Sequence, residues 1–240
     1  WEDSMLHVQN MVLDNCLSTI KHETIYYPNK IKQIIGRLNT QNLSEKEERE
    51  AVETITELIE YYKGIFTILS SCAARQLEEV TFRRTTIPVQ ELFDAAGKYF
   101  RKVMKNRMEK IELIMEPMEA KVIGDVNQLR FLFENLIDEA LAVHEEGVIR
   151  LQARKDNEYV RFLFTDTRRE KSVTELNQLF YPNLARMTSG EKGELRGTEY
   201  LICKQIIRDH DEFAGRRGCR INAEPAEGGG FTVYFTIPRR

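Results

Sequence analysis

The sequence predicts an α+β protein in two parts: a two-helix hairpin dimerising into a four-helix bundle, followed by an α/β sandwich domain with a mixed sheet. Three observations carry this expectation. Apolar residues recur at helical spacing through two long segments within residues 1–79. Strand-like and helix-like stretches alternate through residues 80–240, and two of the strand pairs carry turn signals, at Asp156-Asn157 and at Gly228-Gly229-Gly230.

In the first part, Leu6, Leu13 and Ile20 recur every seven residues, with Leu17 four after Leu13. That is the a/d spacing of a helix packed on another helix, running from Met5 to about Leu38. A polar break at Asn39-Thr40-Gln41-Asn42 follows, and Ser44 with Glu47 reads as a capping box. Ile55, Leu58, Ile59, Tyr62, Ile65, Phe66, Leu69 and Cys72 then continue an apolar stripe to about Leu77. A lone hairpin leaves much of this surface bare, so a homodimer is the expected completion.

The helical pattern stops around Val80 to Thr86. Thr85 to Pro88 reads as a strand leading into a helix from Val89 to about Met108. Strands are expected at Ile111 to Met115 and Ala120 to Ile123, with a helix from Asp125 to about Val143. Val148 to Arg154 and Tyr159 to Phe164 form a hairpin. A short helix near Val173 to Phe180, a loop through Pro182, Ser189, Gly190 and Gly193, and a helix from about Thr198 to Arg208 come next. Strands at Cys219 to Ala223 and Phe231 to Ile237 close the chain.

Composition narrows the function. The 240 residues carry a formal charge of -3, with basic and acidic side chains intermixed, so neither nucleic acid nor an anionic membrane surface is an expected partner. Clusters such as Arg216-Arg217 read as solvated surface. No apolar run approaches the roughly 18 residues of a bilayer span, and direct membrane contact by this segment is not expected. Helical periodicity is already running by Leu6, so the chain reads as a piece of a longer protein. Cys16, Cys72, Cys203 and Cys219 lack metal-ligand or disulfide-framework spacing and read as buried small side chains in a reducing compartment.

One residue stands out chemically. His22 lies about 200° around the helix from Ile20, away from the seam, where its imidazole is free to meet a partner. Glu23 follows it, and Pro28 removes a backbone donor just beyond. An ordinary surface histidine beside a solvated glutamate has the same local sequence, so the pattern alone does not decide.

In order, these residues resemble the catalytic core of sensor histidine kinases: a dimerisation and histidine-phosphotransfer hairpin, then an ATP-binding domain of the type shared with gyrase and the Hsp90 chaperones. His22-Glu23 is similar to the family's H-box. Gly124-Asp125 with Leu129, Leu132, Asn135-Leu136-Ile137 and Ala140 resembles its N-box helix. Asp166 looks like the acid that meets the adenine amino group, Leu179-Phe180-Tyr181-Pro182 like the F-box, and Gly197 with Ile202 to Ile207 like the end of the second glycine box and its helix. Gly230 to Pro238 resembles the closing strand. The resemblance covers nearly the whole chain.

What it implies is a homodimer in which His22 is the phosphoacceptor, Glu23 orients or activates it, and the phosphoryl group passes to an Asp of a response-regulator receiver domain. ATP and Mg²⁺ would be held by Asn135, Asp166 and Gly197, with Glu139 at the position of the metal-binding asparagine. The segment would be the cytoplasmic portion of a membrane-anchored sensor.

The sequence also departs from the family's pattern. Proline falls six residues after the histidine rather than five, and Tyr26 stands where Thr or Asn is associated with phosphatase activity. The first glycine box reads Thr167-Arg168-Arg169-Glu170. In the second, Leu195 and Glu199 replace two of three glycines, and Glu199 puts a carboxylate at the positive end of a helix where phosphate would sit. Arg168, Arg169, Arg186, Lys192 and Arg196 are candidates for direct phosphate contacts or for solvated surface. Three functions therefore stand open: an ATP-dependent histidine kinase; a pseudokinase or histidine phosphotransferase that no longer binds ATP; and a non-enzymatic dimeric signalling scaffold.

Overall fold

The computed structural model describes residues 1–73, 81–183 and 197–240, with the side chains of residues 17–27 and 63–73 outside the described set. The chain divides into two compact units, one of Trp1–Gln9, Glu78–Tyr181 and Glu199–Arg240, the other of Asn10–Leu77 and Pro182–Thr198.

The helical unit is built on α1 (Glu2–Thr40) and α2 (Glu45–Ala73). α1 continues through Pro28, whose ring is exposed, so the missing donor at this position ends no helix. Residues 41–44 connect the two helices, and the capping box is present: Glu47 N donates to Ser44 Oγ at 3.3 Å while Ser44 N donates to Glu47 Oε2 at 2.8 Å. These reciprocal bonds satisfy donors that the first turn of a helix leaves open. Val12, Leu13 and Cys16 of α1 and Leu58 of α2 are buried, whereas Ile35, Val52 and Ile59 remain exposed.

The α+β unit runs β1 (Thr85–Pro88), α3 (Val89–Met104), β2 (Ile111–Glu116), β3 (Lys121–Gly124), α4 (Val126–Leu141), β4 (Gly147–Asp156), β5 (Tyr159–Asp166), α5 (Val173–Gln178), α6 (Glu199–Phe213), β6 (Ile221–Pro225) and β7 (Phe231–Pro238). Five strands form a mixed sheet in the order β2-β4-β5-β7-β6, with β2 and β4 parallel and the other pairs antiparallel. β1 and β3 pair separately as a two-stranded antiparallel ribbon. The sheet and its helices make the expected α+β layers.

Burial alternates strictly along β5: Val160, Phe162, Phe164 and Asp166 face inward. Phe162 stacks on Phe235 of β7 with ring centroids 5.0 Å apart, and Phe133 of α4 and Phe93 of α3 close over them. Each large ring removes apolar area from water, and this cluster is the centre of the unit's core. Asp166 is the last member of that inward row.

Some boundaries differ from expectation. α3 stops at Met104 rather than near Met108, and α6 runs to Phe213 rather than about Arg208. α6 lengthens because Ile206, Ile207 and His210 lie on its buried face, and His210 returns a bond to Ile206 O at 2.7 Å. β6 starts two residues late, at Ile221, where pairing with Phe235 begins.

Candidate functional site

Two strand ends frame the region that the sequence pointed to. At the first, Asp125 follows β3 and caps α4: Oδ1 accepts from Asn127 N at 3.0 Å and Gln128 N at 3.1 Å, and Oδ2 accepts from Arg83 N at 2.8 Å. Asp125 N donates to His210 Nε2 at 3.1 Å. An acceptor role for Nε2 puts the ring proton on Nδ1, facing Ile206 O. Burial holds the pKa of His210 down at about 4, so the ring is neutral.

Along α4, Asn135 and Glu139 are one turn apart and both are buried. Asn135 Nδ2 donates back to Phe131 O at 2.8 Å. Beside them, Tyr200 at the start of α6 is buried, and its hydroxyl pKa is raised by that burial and, secondarily, by Glu139. Tyr200 meets Phe180 edge-on at 5.8 Å. Glu199 begins α6, an acidic side chain in the first turn as expected, and Gly197 before it has φ +70°.

At the second strand end, Asp166 does not face an open cleft. Arg168 folds back on it as a two-pronged pair, Nε to Oδ1 at 2.9 Å and Nη2 to Oδ2 at 2.9 Å, and Arg168 N adds a third bond to Oδ1 at 3.0 Å. The arginine side chain is 1% exposed and that of the aspartate 2%. Arg168 Nη1 also donates to Glu145 O at 2.8 Å and Nη2 to Ala140 O at 2.5 Å. Arg169 reaches Asp166 Oδ2 and Glu139 O, both at 3.4 Å.

Two glycines fit around this pair. Gly147, at φ +142°, lacks the Cβ that would meet Arg168 Cγ at 2.7 Å, and Gly230, at φ +82°, lacks the one that would meet Asp166 O at 2.1 Å. Arg168 is therefore not solvated surface, a correction of that reading drawn from the sequence, while Arg169 lies partly buried against the same carboxylate. A guanidinium beside a buried carboxylate gains more from pairing than from solvation once the carboxylate is fixed on the inward row.

Thus Asn135, Glu139 and Asp166 share one region of the α+β unit. The side chains of His22 and Glu23, and all of residues 184–196 including Arg186, Lys192 and Arg196, lie outside the described residues. Among the described residues no group of three or more His, Cys, Asp or Glu has the arrangement of a metal site. Sequence reasoning missed Tyr200 and His210. The signal for His210 was its position four residues after Ile206 on an apolar stripe.

Residues 124–240 match the family described as "Histidine kinase-, DNA gyrase B-, and HSP90-like ATPase". No curated protein matches the chain. Among solved structures, it is similar to a mycobacterial sensor histidine kinase, MprB, at 18% identity and TM-score 0.50 over 66% of this chain and 99% of that one. It is similar to the catalytic domain of histidine kinase ThkA at 20% identity and TM-score 0.52, covering 67% and 97% of the two chains. Histidine kinase ThkA in complex with response regulator protein TrrA matches over the whole of this chain and 65% of that one, at 19% identity and TM-score 0.53.

Proposed function

We propose that this chain, whose residues 124–240 match the histidine kinase-, DNA gyrase B-, and HSP90-like ATPase family and which has the fold of a sensor histidine kinase catalytic core, is a two-component signalling core that works as a histidine phosphotransferase or pseudokinase. The observation that carries the choice over ATP-dependent autophosphorylation is the pairing of Asp166 with Arg168. An adenine amino group approaching that acid meets a carboxylate with both oxygens already engaged.

In this reading His22 takes the phosphoryl group from the aspartyl phosphate of one receiver domain and returns it to the Asp of another. The unprotonated ring nitrogen attacks phosphorus, the P–O bond to the receiver carboxylate breaks, and a P–N bond forms. Glu23 orients the imidazole. The hairpin is a homodimer, with exposed Ile35, Val52 and Ile59 as apolar surface for a second copy. The segment lies on the cytoplasmic side of a membrane-anchored sensor; no described helix is itself long and apolar enough to cross a membrane.

A second reading keeps ATP and Mg²⁺ as donor and cofactor. It is favoured by the retention of Asp166 and Asn135 in the family's positions, with Gly197 and Glu139 as further nucleotide and metal contacts, and it requires Arg168 to leave the carboxylate. The test is one labelling experiment with two donors. Label is expected to move from a phosphorylated receiver domain to the wild-type chain and not to His22→Ala, with none from labelled Mg-ATP. Transfer from Mg-ATP to His22 would favour the kinase, and no transfer from either donor would leave the signalling scaffold.

A further inference from the structure

The geometry around Asp166 points to more than a lost adenine contact: we propose that Arg168 is an internal ligand, and that the pocket it fills is built for a planar cation with N–H donors on every edge. This inference rests on the reading that the domain no longer holds ATP. It concerns what the pocket now recognises.

The oxygens facing the guanidinium are Asp166 Oδ1 and Oδ2, Ala140 O and Glu145 O, supplied by β5, the end of α4 and the loop after it. All are acceptors. A guanidinium has five N–H groups and no acceptor, and four of the five are placed against these oxygens. Adenine beside the same oxygens would present N6–H as a donor but its ring nitrogen N1 as an acceptor, setting lone pairs against lone pairs. Such a mismatch in a buried site is expensive because neither group can turn to water.

Shape agrees with chemistry. The fork of Arg168 lies on the carboxylate in the two-bond geometry that lysine does not reproduce. Gly147 provides the space for the stem, since any Cβ there would press on Arg168 Cγ. Arg169 supports the outer side of the same carboxylate. Together the pair ties β5 to the end of α4 and to the loop before β4.

The experiment is chemical rescue in the full chain. Arg168→Ala is expected to lower the thermal midpoint by on the order of 10 °C, because a buried carboxylate loses its cation. Guanidinium or methylguanidinium chloride at about 10 mM, far below denaturing concentrations, is expected to restore part of that loss saturably. Ammonium chloride at equal ionic strength and adenine are expected not to, and the wild type is expected not to respond.

An unchanged midpoint in the variant, an equal response to ammonium, or better rescue by adenine than by guanidinium would each overturn the proposal. If the variant does not fold, hydrogen exchange at the wild-type Arg168 side chain decides. Slow exchange of its Nε–H is expected, and exchange as fast as a free arginine's would overturn it. These outcomes are read without phosphate, so they stand or fall separately from phosphotransfer at His22.

Discussion

Asp125 and Asp166 sit at matching places, each at the carboxyl end of a strand and each almost without exposure, at 2% and 1%. Their carboxylates are satisfied in opposite ways. Asp125 takes three backbone N–H donors, two from its own helix and one from Arg83. Asp166 is held chiefly by guanidinium groups. Backbone donors belong to the fold whatever the side chains are, whereas a buried charge pair ties each partner's tolerance to the other. The β3–α4 junction thus uses a device common to any capped helix, while the acid at the end of β5 is held by side chains of the loop that follows it.

The sharpest way to break this contrast is Asp166→Ala. It strands the Arg168 guanidinium in the interior, and urea unfolding should show a loss of about 3–5 kcal/mol. A loss no larger than that of Asp125→Ala would end the distinction. Gly230→Ala attacks the same junction through the backbone, since its Cβ would fall 2.1 Å from Asp166 O at φ +82°. A cost of about 2–4 kcal/mol is expected from combined overlap and strain.

At the other junction, Asp125→Ala should cost about 2 kcal/mol as a lost cap, and Asp125→Ser should recover much of it. There a neutral acceptor can serve, whereas Asp166→Asn, which removes the charge facing Arg168, should recover little of the loss.

The Asp125 side should also carry an acid-sensitive window. Burial lowers His210 from 6.5 to about 4, so the unfolded chain takes up that proton first. The stability linked to this group is therefore complete above pH 6.5 and lost as pH falls toward 4, below which both states are protonated. Denaturation midpoints measured across that interval should fall less steeply in His210→Gln than in wild type. The smallest effect is expected at Ser172→Ala, which removes the capping box of α5 beyond β5. A loss of about 1 kcal/mol is expected, detectable as faster amide exchange in α5.

Much of this was legible from residue order. The alternation through Val160, Phe162 and Phe164 announces a strand with one buried face, and Ser44 with Glu47 or Gly124 with Asp125 announces a helix start. Each is a local rule whose partners lie within a few positions. The destination of Arg168 was not legible, because a loop arginine has many rotamers and water is its default partner. Its partners include carbonyls from Ala140 and Glu145, more than twenty positions away in sequence. The neutral state of His210 was hidden similarly, since it depends on burial by elements far away in sequence.

The sequence by itself determined the α+β order of elements and the departure of the first glycine box, because periodicity and the absence of a Cβ are properties of local chain geometry. Only the tertiary structure decided what Asp166 binds. A buried carboxylate must find a donor, and which donor reaches it depends on how α4, β4 and β5 converge.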